Sequence, residues 1–192
     1  MNTKIGVIGG SFNPPHYAHL FMAMETLCQF HLERVLFIPA NIPPHKEEEG
    51  LVSAVHRLKM VELAIAGEER FQVSDMEIRR GGVSYTVDTL RELKQSYGEI
   101  YFIAGSDSAL DLPNWKEPES ILQLSTFIVF ERPSYPFGKV RDDFRREMVL
   151  MDSLLLDISS RELRSRIREG KPVRYLLPCS VEKYIEENSL YR

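Results

Sequence analysis

The sequence predicts an α/β fold of the doubly wound parallel class, and three observations lead there. Short apolar runs recur along the chain, each is followed by a stretch with helical apolar spacing, and glycine or proline punctuates the junctions. Strands alternating with helices of this length need right-handed crossovers, so the strands run parallel and both faces of the sheet are covered. At 192 residues the chain is sized for one core and reads as a single domain over residues 1–192.

The first strand is expected at residues 4–8, where Gly9-Gly10-Ser11-Phe12-Asn13-Pro14-Pro15 breaks it. Leu20, Ala23, Met24 and Leu27 recur at steps of three and four, which places a helix over residues 18–30. Residues 34–39 form the second strand, and residues 40–51, with Pro43, Pro44 and the acidic Glu47, Glu48 and Glu49, form a loop. Ser53 caps a helix that Gly67 ends, with Val55, Leu58, Val61, Leu63 and Ile65 as its buried side. A third strand covers residues 71–73.

Ser84 or Thr86 then serves as the N-cap of a helix carrying Val87, Leu90 and Leu93 and stopping at Gly98. The fourth strand is residues 100–104, short helical segments follow at residues 108–110 and 118–124, and the fifth strand is residues 126–130. Residues 132–148 are charged and give no readable period. The apolar run at residues 154–158 is read as a sixth strand, and helices at residues 159–169 and 181–187 close the chain as a small C-terminal helical segment.

The formal net charge of −4 argues against a broad nucleic-acid surface, so any phosphate site is local. Cys28 and Cys179 lie far apart, in neither metal nor redox spacing, which suits a reducing cytoplasm. Apolar runs are too short to span a bilayer, and no membrane association is expected. In doubly wound sheets ligands bind beyond the carboxyl ends of the strands where strand order reverses. That rule names the loops at residues 9–19 and 105–107.

In the first of these, paired Gly9 and Gly10 allow backbone amides to approach a phosphate, and the helix that follows adds a positive dipole end. His16 and His19, three apart, can both donate to phosphate oxygens. Two histidines at that spacing also serve as helix caps or packing, and a zinc site is a third reading that lacks a third ligand. The glycines do not follow G-x-G-x-x-G, so this is no dinucleotide fingerprint. Far downstream, Ser159 and Glu162 have capping-box spacing at another strand-to-helix junction. There Arg161, Arg164 and Arg168 share one side, opposite Leu163 and Ile167, as a phosphate clamp or as a solvated basic face.

Together these segments carry a resemblance. Gly9-Gly10-Ser11-Phe12-Asn13-Pro14-Pro15-His16-Tyr17-Ala18-His19 resembles the G-G-[ST]-F-[DN]-P-x-H-x-x-H signature of the nucleotidylyltransferase superfamily, and Ile158-Ser159-Ser160-Arg161-Glu162-Leu163-Arg164 is similar to its I-S-S-T-x-[IL]-R motif. Within it, Pro43-Pro44-His45-Lys46, Ser84-Tyr85-Thr86-Val87-Asp88-Thr89-Leu90, Phe102-Ile103-Ala104-Gly105-Ser106-Asp107 with Trp115, and Tyr175-Leu176-Leu177-Pro178 resemble bacterial nicotinate-nucleotide adenylyltransferases. The matches run in order along essentially the whole chain. Two positions depart from the pattern: Asn13 stands for the commoner Asp, and Arg161 for Thr.

The resemblance implies a Rossmann-like nucleotidylyltransferase fold and transfer of AMP from ATP to nicotinate mononucleotide, with pyrophosphate leaving, in NAD biosynthesis. It implies ATP contacts from Gly9, Gly10, Ser11, Phe12, His16, His19, Gly105, Asp107, Ile158, Ser159, Ser160 and Arg164, with His16, His19 and Arg164 catalytic. The mononucleotide falls to Asn13, Lys46, Ser84, Tyr85, Thr86, Trp115 and Arg132. Mg²⁺ is implied mainly through the ATP phosphates, with no protein ligand. The rivals are another adenylyltransferase of the superfamily, such as one acting on phosphopantetheine, and a nucleotide sensor without catalysis.

Overall fold

A computed structural model of the chain describes residues 3–44 and 50–192. Its sheet has six strands, all parallel, in the order β3-β2-β1-β4-β5-β6. The elements run β1 (Lys4–Gly10), α1 (Tyr17–Gln29), β2 (Arg34–Pro39), α2 (Ala54–Ile65), β3 (Phe71–Val73), α3 (Met76–Arg80), α4 (Thr86–Leu93) and β4 (Glu99–Gly105). Then come α5 (Ser106–Asp111), α6 (Pro118–Leu124), β5 (Thr126–Phe130), α7 (Asp142–Arg145), β6 (Met148–Leu150), α8 (Ser160–Arg168) and α9 (Cys179–Glu187). The doubly wound class is the observed one, and strand order reverses between β1 and β4.

Alternation along the strands divides the core in two. Leu36, Ile38, Phe102, Phe127 and Val129 face one way with Val87, Leu90 and Ile121 from α4 and α6. Val35, Phe37, Tyr101, Ile103 and Ile128 face the other with Ala23, Leu27, Val61 and Ile65 from α1 and α2. A third apolar group joins Met60 of α2 to Leu163, Val181, Ile185 and Tyr191, which seats the closing helices on α2 and not on the sheet. No helix among the described residues is long and apolar enough to cross a membrane.

Several expectations need correction. The sixth strand is Met148–Leu150, not residues 154–158. Leu154 and Leu155 are 74% and 56% exposed, so that apolar run lies on the surface. On α2, Val55 is 71% exposed, whereas Arg57 is 1% exposed. The N-cap of α4 is Tyr85, and the helix ends at Leu93, ahead of Gly98. Ser159 does cap α8, its hydroxyl oxygen accepting from the Glu162 N–H.

Candidate active site

The crevice between the carboxyl ends of β1 and β4 opens into a cavity of about 240 Å³. Gly9, Gly10 and Ser11 form one wall, Ser84 and Thr86 a second, and Phe102, Asp107, Asp111 and Trp115 a third. A Cβ built on Gly9 or Gly10 would meet only aromatic carbons at 3.8 Å or the Phe12 amide at 4.0 Å. Protein packing therefore does not require those glycines, but a group filling the crevice would. Just past them Phe12 holds a left-handed φ of 47° while 1% exposed, turning the chain sharply toward α1.

That turn delivers the two histidines. His16, the N-cap of α1, stacks on His19 with ring centroids 3.8 Å apart, and its backbone N–H donates to His19 Nδ1 at 3.2 Å. An accepting Nδ1 leaves the proton of a neutral His19 on Nε2. The His16 ring is buried, and its Nδ1 has no hydrogen-bond partner. Burial first, then the charges of His19 and Arg132, hold the His16 imidazole well below its ordinary value of 6.5.

The stability consequence has a definite sign. The folded chain keeps His16 neutral while the unfolded chain takes up a proton below pH 6.5, so stability is lost as pH falls through that value. Urea midpoints followed downward from neutral pH should begin to drop there, and His16→Asn should remove that part of the slope.

The late motif closes on this turn. Ser160 Oγ donates to the Pro14 carbonyl at 2.8 Å, and Arg164 Nη1 donates to the Asn13 carbonyl at 2.8 Å, across 146 and 151 residues of sequence. Arg132 bridges the remaining loops: its backbone N–H donates to Ser106 Oγ, Nη1 pairs with Asp107 at 2.9 Å, and Nη2 lies 3.7 Å from Asp157. Two strand-to-helix turns, β1 to α1 and β4 to α5, and the N-terminus of α8 are thus tied together beside one crevice.

Comparison with known proteins gives this geometry a family. Residues 7–166 match the family model described as cytidylyltransferase-like. A relative from Desulfitobacterium hafniense (strain DSM 10664 / DCB-2), named "Probable nicotinate-nucleotide adenylyltransferase", is 44% identical across 98% of this chain and 96% of its own length. The chain belongs to the nicotinate-nucleotide adenylyltransferase family. A relative of the same name from Shouchella clausii is 43% identical, again over 98% of this chain and 96% of its own. Among solved structures, the nicotinic acid mononucleotide adenylyltransferase of Plasmodium falciparum complexed with NaAD superposes with a TM-score of 0.80 over 98% of this chain and 97% of its own, at 21% identity. That likeness concerns the fold.

The family's expected residues are distributed unevenly. Gly9, Gly10, Ser11, Asp107, Ser84, Thr86 and Trp115 line the cavity. Trp115 is edge-on to Phe102 and fixed by Nε1–H donation to Asp111 at 3.1 Å, which leaves it along the cavity wall. His16 and His19 stand around the corner from that wall, beside the Phe12 ring. Lys46 lies outside the described residues. Ile158 offers its carbonyl to Arg132 Nη2 at 3.5 Å.

Four side chains do other work than expected. Asn13 is fully buried, with Nδ2 donating to the Gly50 carbonyl and Oδ1 accepting from Val52 N–H and Tyr191 O–H, so it braces the turn and is shielded from ligand. Tyr85 turns its ring under the Lys116 ammonium, 4.8 Å away, outside the cavity wall. The Ser160 hydroxyl proton is taken by Pro14, which leaves the backbone amides of the first turn of α8 as that segment's outward donors. Arg132 sits with Asp107 and Asp157, not beside Ser84 and Trp115. Among the arginines of α8 only Arg164 is buried; Arg161 and Arg168 form a solvated face.

Sequence reasoning missed Arg57. It donates to the carbonyls of Ser11 (2.9 Å), Asn41 (2.8 Å) and Val52 (3.1 Å), tying the glycine turn to the segments on either side of the Pro43-Pro44 loop. The available signal was its place on the Arg57, Val61, Ile65 stripe at steps of four.

Gly105 gives a further check. A Cβ there would lie 2.5 Å from Asp107 Oδ1 and 3.1 Å from Arg132 Cδ, inside van der Waals contact. Gly105→Ala is therefore expected to dislodge the Asp107–Arg132 pair and raise the KM for ATP by about three- to tenfold, with kcat little changed. Steady-state kinetics with ATP varied reads this directly.

Proposed function

We propose that the chain transfers AMP from ATP to nicotinate mononucleotide, forming nicotinate adenine dinucleotide and pyrophosphate in NAD biosynthesis. The observation that carries this reading is one crevice flanked by two kinds of surface. The donor-rich corner of Gly10, Ser11, His16, His19 and the first turn of α8 suits a triphosphate. The Trp115 and Ser84–Thr86 walls suit a flat ring bearing a carboxylate, which the amides opening α4 can receive. Gly105 and Asp107 at the end of β4 flank the adenosine.

The reaction is an in-line attack by the mononucleotide phosphate on the α-phosphorus of ATP, with pyrophosphate as leaving group and no covalent enzyme intermediate. Its main obstacle is that two anions must meet. The enzyme lowers that barrier by holding both in line, and by donors fixed before the charge on the leaving oxygens grows. His16 is such a donor: a neutral, buried imidazole whose Nδ1 finds no protein partner. Arg164 fixes the backbone of the same turn through the Asn13 carbonyl and adds positive charge beneath it.

Among the described residues no group of three or more His, Cys, Asp or Glu side chains is arranged to hold a metal ion. Of the two aspartates on the Trp115 wall, Asp107 is paired with Arg132 and Asp111 accepts from Trp115 Nε1–H. This donor set fits anionic oxygen, not a cation, so Mg²⁺ would arrive on the ATP phosphates, whose charge it neutralises there.

A pyrophosphate-release assay with ATP, Mg²⁺ and alternative acceptors tests the proposal. Adenylylation of nicotinate mononucleotide ahead of nicotinamide mononucleotide is the expected result. Preference for phosphopantetheine, or tight ATP binding without turnover, would overturn it.

A further inference from the structure

Against the Ser84 wall of the crevice lies a carboxyl group that the reaction does not use. Glu77 projects from α3, 6% exposed, and lines both the main cavity and the small void behind it. Its Oε1 accepts the hydroxyl proton of Thr89, itself 3% exposed on α4. The Ser84 hydroxyl is a second hydrogen-bonding neighbour of the carboxyl. Each hydroxyl oxygen then receives a donor from elsewhere: Thr89 Oγ1 from Arg80 Nη2 at 2.7 Å, and Ser84 Oγ from the Asn41 N–H at 2.9 Å. Arg80 continues to Glu92 at 3.2 Å, so α3 and α4 are laced together from the buried end to the surface.

Two features make this more than packing. A buried acidic group beside the place where an anionic substrate arrives is an unfavourable choice unless its lone pairs are needed. Here they face the Thr89 hydroxyl on α4 and the Ser84 hydroxyl on the residue before its N-cap, and the first amides of that helix open the pocket. Burial pushes the Glu77 carboxyl above its ordinary value, against the opposing pull of Thr89, Ser84, Arg80 and Arg57.

The geometry points to Glu77 as a positioning residue for the mononucleotide: by accepting from Thr89 and Ser84 it fixes the start of α4, aiming the Tyr85 and Thr86 amides at the substrate carboxylate and directing the Ser84 proton away from it, while the Ser84 amide itself donates to the Ile42 carbonyl at 2.9 Å. This rests on the proposed function. It adds a residue on a helix that contributes nothing else to the crevice, and it confines the effect to one of the two substrates.

The test compares Glu77→Met, which removes the acceptor at similar volume, with Glu77→Gln, which keeps one, and Thr89→Val with Thr89→Ser. Glu77→Met and Thr89→Val should raise the KM for nicotinate mononucleotide about tenfold, the scale of one lost buried hydrogen bond, while the KM for ATP stays within about twofold. Glu77→Gln and Thr89→Ser should fall back toward the parent chain. Equal rises in both KM values, an unchanged KM for the mononucleotide in Glu77→Met, or no difference between Thr89→Val and Thr89→Ser would overturn the assignment. If Glu77→Met does not fold, the Thr89 pair decides. Quenching of the Trp115 emission by nicotinate mononucleotide supplies a Kd apart from turnover. A parent chain that neither binds nor adenylylates it overturns both proposals; one that does both, with variants unchanged, overturns only this one.

Discussion

His16→Ala is expected to lower kcat by about 10²- to 10³-fold, the range seen when one preorganised donor to a developing negative charge is removed. The KM for either substrate should move far less, because the donor matters most after charge has shifted toward the leaving pyrophosphate. Stability gives the second half of the expected result. The His16 ring stacks on His19, and losing that contact destabilises the fold, but its Nδ1 is a buried polar atom without a partner, and removing it relieves a desolvation cost of about 1–3 kcal/mol. The two effects should offset to within about 2 kcal/mol, so the variant should melt near the parent temperature while nearly inactive. A loss of activity that tracked loss of fold in thermal melts would remove His16 from the chemistry.

Arg57→Met should do the opposite, acting first on the fold. The guanidinium holds three carbonyls from three separate segments, and no apolar side chain can replace those donors. Leaving these part-buried carbonyls without that donor should destabilise the chain by about 3 kcal/mol, or roughly 6–12 °C in Tm for a chain of this size. Arg57→Lys should recover only part, since one ammonium cannot span the fork. At temperatures where both variants remain folded, the KM for ATP should rise, because the Ser11 carbonyl and the glycine turn above it are no longer pinned. Scanning calorimetry and initial rates measured side by side check both parts.

These two residues also mark what the sequence could and could not disclose. The strand at residues 34–39 and the glycine turn after the first strand were legible because a buried parallel strand is a continuous apolar run and the turn chemistry ending it is local. The crevice was legible through topology, since a strand order reversing between β1 and β4 selects its two loops without reference to any side chain. The pairing of the histidine turn with the Ser160 segment was expected on the resemblance, and the hydrogen bonds to Asn13 and Pro14 realise it.

Elsewhere the local signal was absent or pointed the wrong way. The five-residue α3 is too short to show a period, and with it Glu77 went unnoticed. The three-residue edge strand β6 lost out to a longer leucine run, although Leu154 and Leu155 are exposed. Arg57 was passed over because charged residues are ordinarily counted to the solvent face of a helix; only its long-range carbonyl partners explain its burial. Asn13 misled for the complementary reason: a polar residue inside a ligand-binding motif was read as facing the ligand, and its partners at Gly50, Val52 and Tyr191 are distant in sequence.

The hydrogen bonds from Ser160 and Arg164 back to Pro14 and Asn13 have a bearing on how the chain matures. A ribosome releases the histidine turn well over a hundred residues before its tether, so a growing polypeptide carries one side of the contact long before it carries the other. Closing so long a loop is slow, and the interval leaves the apolar face of α2 without the helices that cover it. Nucleotide arriving after synthesis would therefore select the finished molecules over partly formed ones, acting on the newborn enzyme as a maturation ligand by mass action alone.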